Sequence, residues 1–194
     1  MALGGTIRGK KATLRLPTEA DLDTYNRWMA DMRVRRAHRV WHEPAMPATW
    51  KDRFKEAAKD KQTVLWSIEA ADKLVGFALG HLWSMGNGFD VNHFVIDPDD
   101  WRKGYGSDAA LALHRYLFDY LDLRLVTVDV RADNQAARRI ATKLGYTEFA
   151  HGHEVHYRDG AYVDELKLRM DKETWQERWS AEREYPPLAA GATS

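Results

Sequence analysis

The sequence predicts a mixed α/β domain: a mostly antiparallel sheet, one parallel strand–helix–strand crossover, and flanking helices. Three observations predict it. Residues 62–83 hold two apolar, β-branched runs around a short turn, which is hairpin patterning. Phe89 to Val130 reads as strand, glycine-containing turn, helix and strand, which implies a right-handed parallel crossover. Residues 146–170 again read as two strands, turned at Arg158-Asp159-Gly160. No repeat or linker interrupts the pattern. Residues 1–185 are therefore expected to form a single domain, and the Ala/Gly/Thr/Ser-rich residues 186–194 a disordered tail.

Taken in order, residues 1–10 are small, polar or basic and read as a frayed lead-in. Lys11 to Leu16 alternates apolar Ala12, Leu14 and Leu16 with Thr13 and Arg15, the period of a half-buried strand. Pro17 ends it, and Thr18 with Asp21 three positions on is a capping-box signal for a helix to about Met29. Asp31 to Pro47 has no period and reads as a solvated basic loop. Thr49 to Lys59 returns to helix, with Trp50 and Phe54 one turn apart. Asn87-Gly88 is a turn signal before the Phe89–Ile96 strand, which Pro98 ends. Ala110, Leu113, Leu117 and Leu121 then mark one face of a helix. Arg124 to Val130 is a strand. A second helix, capped by Asp133 or Asn134, ends at Gly145. Asp171 to Tyr185 is a weakly amphipathic helix stopped by Pro186-Pro187.

The 194 residues carry zero formal net charge, so no overall field argues for nucleic acid or for a polycationic substrate. With no cysteine, disulfides, a thiol nucleophile and a cysteine-based zinc site are excluded. No apolar run approaches a membrane span and no secretory signal is visible, so the chain is expected in the cytoplasm, away from membranes.

Gly104 and Gly106 open the helix that follows the Phe89 strand. A glycine turn at a helix start offers unpaired N–H groups at the positive end of the macrodipole, suited to a diphosphate. Arg102 and Lys103 add charge beside it. An ordinary strand–helix loop also uses glycine for geometry alone. No Gly-Lys-Ser/Thr follows, which excludes a P-loop, and the third glycine of a dinucleotide fingerprint is missing.

Trp101-Arg102-Lys103-Gly104-Tyr105-Gly106-Ser107-Asp108-Ala109 resembles the acyl-CoA-binding segment of the GNAT superfamily of N-acetyltransferases, in its RimJ/RimL-like branch. Asn134 to Tyr146 is similar to the branch's Asn-initiated helix ending Lys-Leu-Gly, and Asp159-Gly160-Ala161-Tyr162-Val163-Asp164 to its late hairpin. The resemblance implies a GNAT-like splayed sheet and acetyl-CoA as cosubstrate. Val95 and Ile96 would face the pantetheine and acetyl groups. Trp101, Arg102, Lys103, Gly104, Tyr105, Gly106 and Ser107 would hold the diphosphate. Asn134, Arg138 and Lys143 would contribute from the next helix. Trp41, His42, Glu43 and Asn92 become candidate acceptor contacts. Arg102 stands where the branch carries glycine. Ala137 and Ala141 stand where thiolate-donating Ser and Tyr are familiar, leaving Tyr105, Tyr146 or water as the donor, or a thiolate that departs unassisted.

Acetyl transfer to an amine needs a proton acceptor, because an ammonium has no lone pair. Asp90 is one candidate, since aspartate is depleted in strands and needs a reason to be there. Its alternative is a strand-end residue bound to the adjacent turn. His93 is the rival candidate, against a packed core histidine. Strand alternation puts Asp90 with Asn92 on one face and Val91 with His93 on the other. His151 and His153 share a strand face but lack an evident third ligand, so they and His156 read as surface histidines and no metal is expected. The function expected is acetyl-CoA-dependent N-acetylation of a primary amine, on a peptide or a small molecule. A non-catalytic acyl-CoA-binding module and a drug-resistance acetyltransferase are the alternatives. The oligomeric state stays open, a homodimer included.

Overall fold

The computed structural model describes residues 5–38, 51–52, 55–57, 59–83 and 87–180. Its strands form one eight-stranded sheet. They are β1 (Ile7–Arg8), β2 (Thr13–Arg15), β3 (Thr63–Ala70), β4 (Lys73–Leu82), β5 (Gly88–Ile96), β6 (Leu125–Arg131), β7 (Thr147–Arg158) and β8 (Ala161–Asp171). The order across the sheet is β1-β2-β3-β4-β5-β6-β8-β7, antiparallel except for β5 beside β6. The helices are α1 (Leu22–Ala30), α2 (Met32–Ala37), α3 (Tyr105–Arg115), α4 (Gln135–Leu144) and α5 (Lys172–Trp179).

The sheet is packed on both faces near its middle. On one side lie Trp66, Ile68, Val75, Phe89 and Val126 against Leu113, Leu117 and Phe118, with Trp175 of α5. On the other, Leu65, Phe77 and Val95 meet Leu22, Tyr25, Trp28 and Met29 of α1. Under that helix, Asp21 accepts from the Arg15 guanidinium (2.7 Å), the Thr18 N–H (2.8 Å) and the Ser67 hydroxyl (2.8 Å). Burial opposes ionisation of Asp21, but these donors outweigh it and bring its pKa down to about 2.

Pairing between β5 and β6 runs from Gly88 with Leu125 to Val91 with Val128 and stops there. Beyond it β5 continues to Ile96 and β6 to Arg131, so the sheet opens as a wedge.

Several expectations need correction. Residues 5–10 contain β1, with Ile7 buried, because the Asp108 carboxylate accepts the N–H groups of Lys10, Lys11 and Ala12 at 3.1, 2.7 and 2.9 Å. Leu16 lies outside β2 and is exposed. The basic loop expected after Asp31 begins instead as α2, capped by Asp31 accepting from the Arg33 N–H at 2.7 Å. The helix over the Leu113 face changes pitch: Tyr116–Tyr120 is a π-turn. That wider turn lets Phe118 stack on Trp175 while Asp119 accepts its indole N–H at 2.9 Å.

The largest correction concerns β5. Leu79 pairs with His93 but Gly80 pairs with Val91, so Asn92 is the extra residue of a β-bulge. Phe89 and Val91 pack on the α3 side, as do Phe94 and Ile96, whereas Val95 packs on the α1 side. The bulge therefore reverses the alternation, and Asp90 and His93 share the α1–α2 face rather than opposing one another.

Candidate active site

A cavity of about 900 Å³ passes through the wedge. Val91, Asn92, Phe94, Val95 and Ile96 form one wall, and Val128 to Arg131 with Asn134 the other. The start of α3 and the inward face of α4 close the first side of the sheet, while Val34, Ala37 and His38 reach it from α2.

The floor is the Trp101–Ser107 turn. Gly104 is the N-cap of α3 with φ +87°, and no side chain caps this helix end. The first N–H groups of α3 are thus directed at the cavity mouth with the positive end of the macrodipole. A Cβ on Gly106 would lie 3.2 Å from Ile96 Cγ1, so glycine lets α3 start close against β5. Arg102 takes φ +65°, the left-handed conformation that explains why a glycine suits this position. The Trp101 indole N–H donates to the Ile96 carbonyl at 2.8 Å and fastens the turn to the strand end.

Of the residues expected to hold a cofactor, Val95, Ile96, Trp101, Arg102, Gly104, Tyr105, Gly106, Ser107, Asn134 and Lys143 line the cavity. Lys103 does not: its ammonium sits on the fully buried Asp100 carboxylate at 2.7 Å, which also takes Lys73 at 3.0 Å. Arg138 turns away and donates to the Ala132 carbonyl at 3.0 Å. Its neighbour Arg139, which the sequence did not single out, lines the cavity instead. Asn134 accepts from the Ala137 N–H at 3.1 Å and donates to the Ala37 carbonyl at 2.9 Å, so it caps α4 and ties down α2 together.

Asn92 lines the cavity at the bulge. Trp41, His42 and Glu43 lie outside the described residues. Asp90 accepts from the Trp83 indole N–H at 2.9 Å and from the Thr127 hydroxyl, and is not among the lining residues. His93 is likewise not among the lining residues; it bonds through Nδ1 to His38 Nε2 at 2.9 Å, the rings stacked 4.9 Å apart. His38 itself lines the cavity. Nothing in the sequence linked these two histidines, because their contact crosses from α2 to β5.

His114 is a further residue the sequence did not single out. It is buried in α3, with Nδ1 2.7 Å from the Ala110 carbonyl and Nε2 2.6 Å from the Tyr146 hydroxyl. A carbonyl only accepts, so Nδ1 carries the proton and Tyr146 O–H donates to Nε2. Burial brings the His114 pKa down to about 4. Burial, and secondarily the Asp90 charge, hold the Tyr146 hydroxyl well above its ordinary value. That hydroxyl lies at the cavity as a neutral donor already committed to His114.

A sequence model of the family described as acetyltransferase (GNAT) domain matches residues 11–147. The uncharacterized N-acetyltransferase YoaA of Bacillus subtilis (strain 168) is 26% identical over 113 residues, covering 57% of this chain and 64% of that protein. In that match the chain thus spans less than two thirds of its relative. Among solved structures, spermidine N-acetyltransferase from Vibrio cholerae in complex with CoA and spermine superposes with a TM-score of 0.75 at 18% identity, covering 85% of this chain and 98% of that one. A GNAT-family acetyltransferase from Bacillus anthracis gives 0.73 at 17% identity, covering 87% and 99%. At such identities these superpositions speak for the fold.

Proposed function

The chain belongs to the GNAT acetyltransferase family, and from that premise we propose that it transfers an acetyl group from acetyl-CoA to a primary amine within a ternary complex. The observation that carries this reading is the uncapped, glycine-opened start of α3 facing a cavity that passes through the wedge in the sheet. The residues fit a diphosphate-bearing cosubstrate: Tyr105, Gly106 and Ser107 supply N–H groups, and Arg102, Arg139 and Lys143 supply charge. When bound, acetyl-CoA supplies the thioester that the amine attacks. The β5 main chain beyond Val91 has no β6 partner in the ladder and orients the pantetheine arm.

His93, acting with His38, is the proton acceptor in this reading. In a neutral hydrogen-bonded imidazole pair one ring donates and the other accepts, and the pair takes up one proton. His38 brings the pair to the cavity. Asp90 has the lesser claim, because its carboxylate is already committed to the Trp83 indole N–H and the Thr127 hydroxyl. On the acceptor side His38, Asp129 and Arg131 line the cavity, Arg131 paired with Asp133, while Arg36 of α2 pairs with Asp159. Arg131 and His38 at the lining can donate to a carbonyl or carboxylate beside the amine, so a peptide N-terminus or an amino acid is the preferred acceptor class in this reading.

The test follows CoA release against a panel of peptide N-termini, amino acids, spermine and aminoglycosides. Turnover led by peptides or amino acids supports the reading. Turnover led by spermine overturns the acceptor class, and acetyl-CoA binding without release above background leaves a binding module. His93→Gln is expected to lower kcat by about 10²-fold or more, and Asp90→Asn far less. The reverse order would return the role to Asp90.

A further inference from the structure

We infer that His151 and His153 of β7, with Asp164 of β8, form a surface binding site for a borderline-soft divalent transition-metal ion such as Zn²⁺ or Ni²⁺. The three side chains each bring one ligand atom to within 4.8 Å of the others. His151 Nε2 lies 2.9 Å and His153 Nδ1 3.6 Å from Asp164 Oδ2. Ligand atoms around a tetrahedral zinc ion are about 3.3 Å apart, as follows from bond lengths near 2.0–2.1 Å. The group thus needs only small side-chain rotations to close on an ion, with water completing the coordination.

The backbone explains how the third ligand arrives. Pairing of β7 with β8 shifts register between Gly152 and His156. Within that bulge Glu154 takes φ +54°, and its N–H donates to Asp164 Oδ1 at 2.8 Å. One oxygen of Asp164 is thereby fixed while the other points between the two imidazoles. A regular hairpin would not turn the Glu154 N–H onto a side chain of the facing strand.

An outer layer is also in place. His151 Nδ1 lies 2.8 Å from Glu148 Oε1, which orients the ring with Nε2 toward the site. A carboxylate on the far nitrogen is the usual support of a metal-bound histidine and raises its basicity toward the ion. His156, by contrast, is drawn to the buried Glu165 at 3.1 Å and takes no part. Two imidazoles and one carboxylate favour Zn²⁺, Ni²⁺ or Cu²⁺ over Mg²⁺, which demands an oxygen octahedron. An ion here would tie the bulge of the outermost strand to its neighbour. The turn of the same hairpin reaches α2, where Asp159 pairs with Arg36 at 2.5 Å and Arg158 donates to the Arg35 carbonyl at 2.8 Å.

Isothermal calorimetry on the tag-free chain in chelator-free buffer tests the site, with ZnCl₂, NiCl₂ and MgCl₂ titrated separately. The expected result is one Zn²⁺ or Ni²⁺ per chain, no heat from Mg²⁺, and a metal-dependent rise in Tm. His153→Ala and Asp164→Asn should each weaken binding about tenfold or more, the lower range for loss of metal-supporting groups. The His153 side chain is 81% exposed, so its loss leaves folding intact. His38→Ala is expected to bind metal as the parent does. Absence of Zn²⁺ and Ni²⁺ binding at millimolar metal overturns the inference. So does undiminished binding in His153→Ala, or binding lost in His38→Ala, either of which places the ion elsewhere.

Discussion

The two flanks of the wedge are built differently. The β1–β5 flank is covered on both faces and buries Trp66, Phe77, Tyr25 and Phe89 almost completely. Beyond Val126 and Met170, which join the large core, the β6–β8–β7 flank rests on a small cluster of Val130, Ala141, Leu166 and Leu168. Phe149, Val155, Tyr157 and Tyr162 of its hairpin are 49–62% exposed. The Trp101–Ser107 turn is fastened to the heavily packed flank through Trp101 and Gly106. The α2 segment is held to the thin flank by polar contacts from Arg131, Asn134, Arg158 and Asp159. Affinity for CoA should therefore follow the packed flank, and acceptor geometry the polar contacts.

Mutations on the two flanks should differ most in stability. Phe77→Ala is expected to cost about 3–5 kcal/mol by leaving a cavity, and Phe149→Ala to stay within about 0.5 kcal/mol. Urea titration of both variants checks this, and equal losses would break the contrast. Next, Asp21→Asn is expected to cost about 2 kcal/mol, because it weakens the charge-assisted bonds from Arg15, Thr18 and Ser67 while Arg15 keeps its Glu69 partner at 2.6 Å. A loss under about 1 kcal/mol would mean the network adds little.

Acid should act in two stages. His114 has its folded pKa brought below the unfolded value, so the unfolded chain binds the proton first. Stability is then lost as pH falls from about 6.5 to about 4. Asp21 has a lowered folded pKa too, so its contribution is full above about pH 4 and is lost as pH falls toward about 2. In Tm measured against pH, His114→Gln should flatten the first stage and leave the second. The smallest effect is local: Gly104→Ala at φ +87° should cost about 1 kcal/mol of strain and weaken CoA binding. Arg102→Gly should relieve a similar strain at φ +65° while removing a charge, so Tm rises slightly as CoA affinity falls.

Much of the packed flank was legible in the sequence because periodicity reports burial: β3, β4, β5 and α3 carry their apolar residues at strand or helix spacing. The bulge at Asn92 was not, since one extra residue leaves no mark on composition yet reverses every face after it. Nor was α2, whose Val34 is its only fully buried side chain and whose hold comes from residues about 100 positions away. The turn opened by Gly104 and Gly106 was legible too, as the start of α3. The His38–His93 contact depends on pairing between distant elements, and the grouping of His151, His153 and Asp164 on the shifted register within one hairpin; a strand pattern alone fixes neither.

The central claim is that the start of α3 holds the diphosphate of CoA inside the wedge. Calorimetric titration of CoA into the parent chain and into Gly106→Val tests it most directly, with circular dichroism confirming that both are folded. The account predicts one CoA per parent chain, with affinity at least about tenfold weaker in Gly106→Val, since a branched side chain would drive α3 away from Ile96. No CoA uptake by the parent at millimolar ligand, or unchanged affinity in the variant, would contradict it.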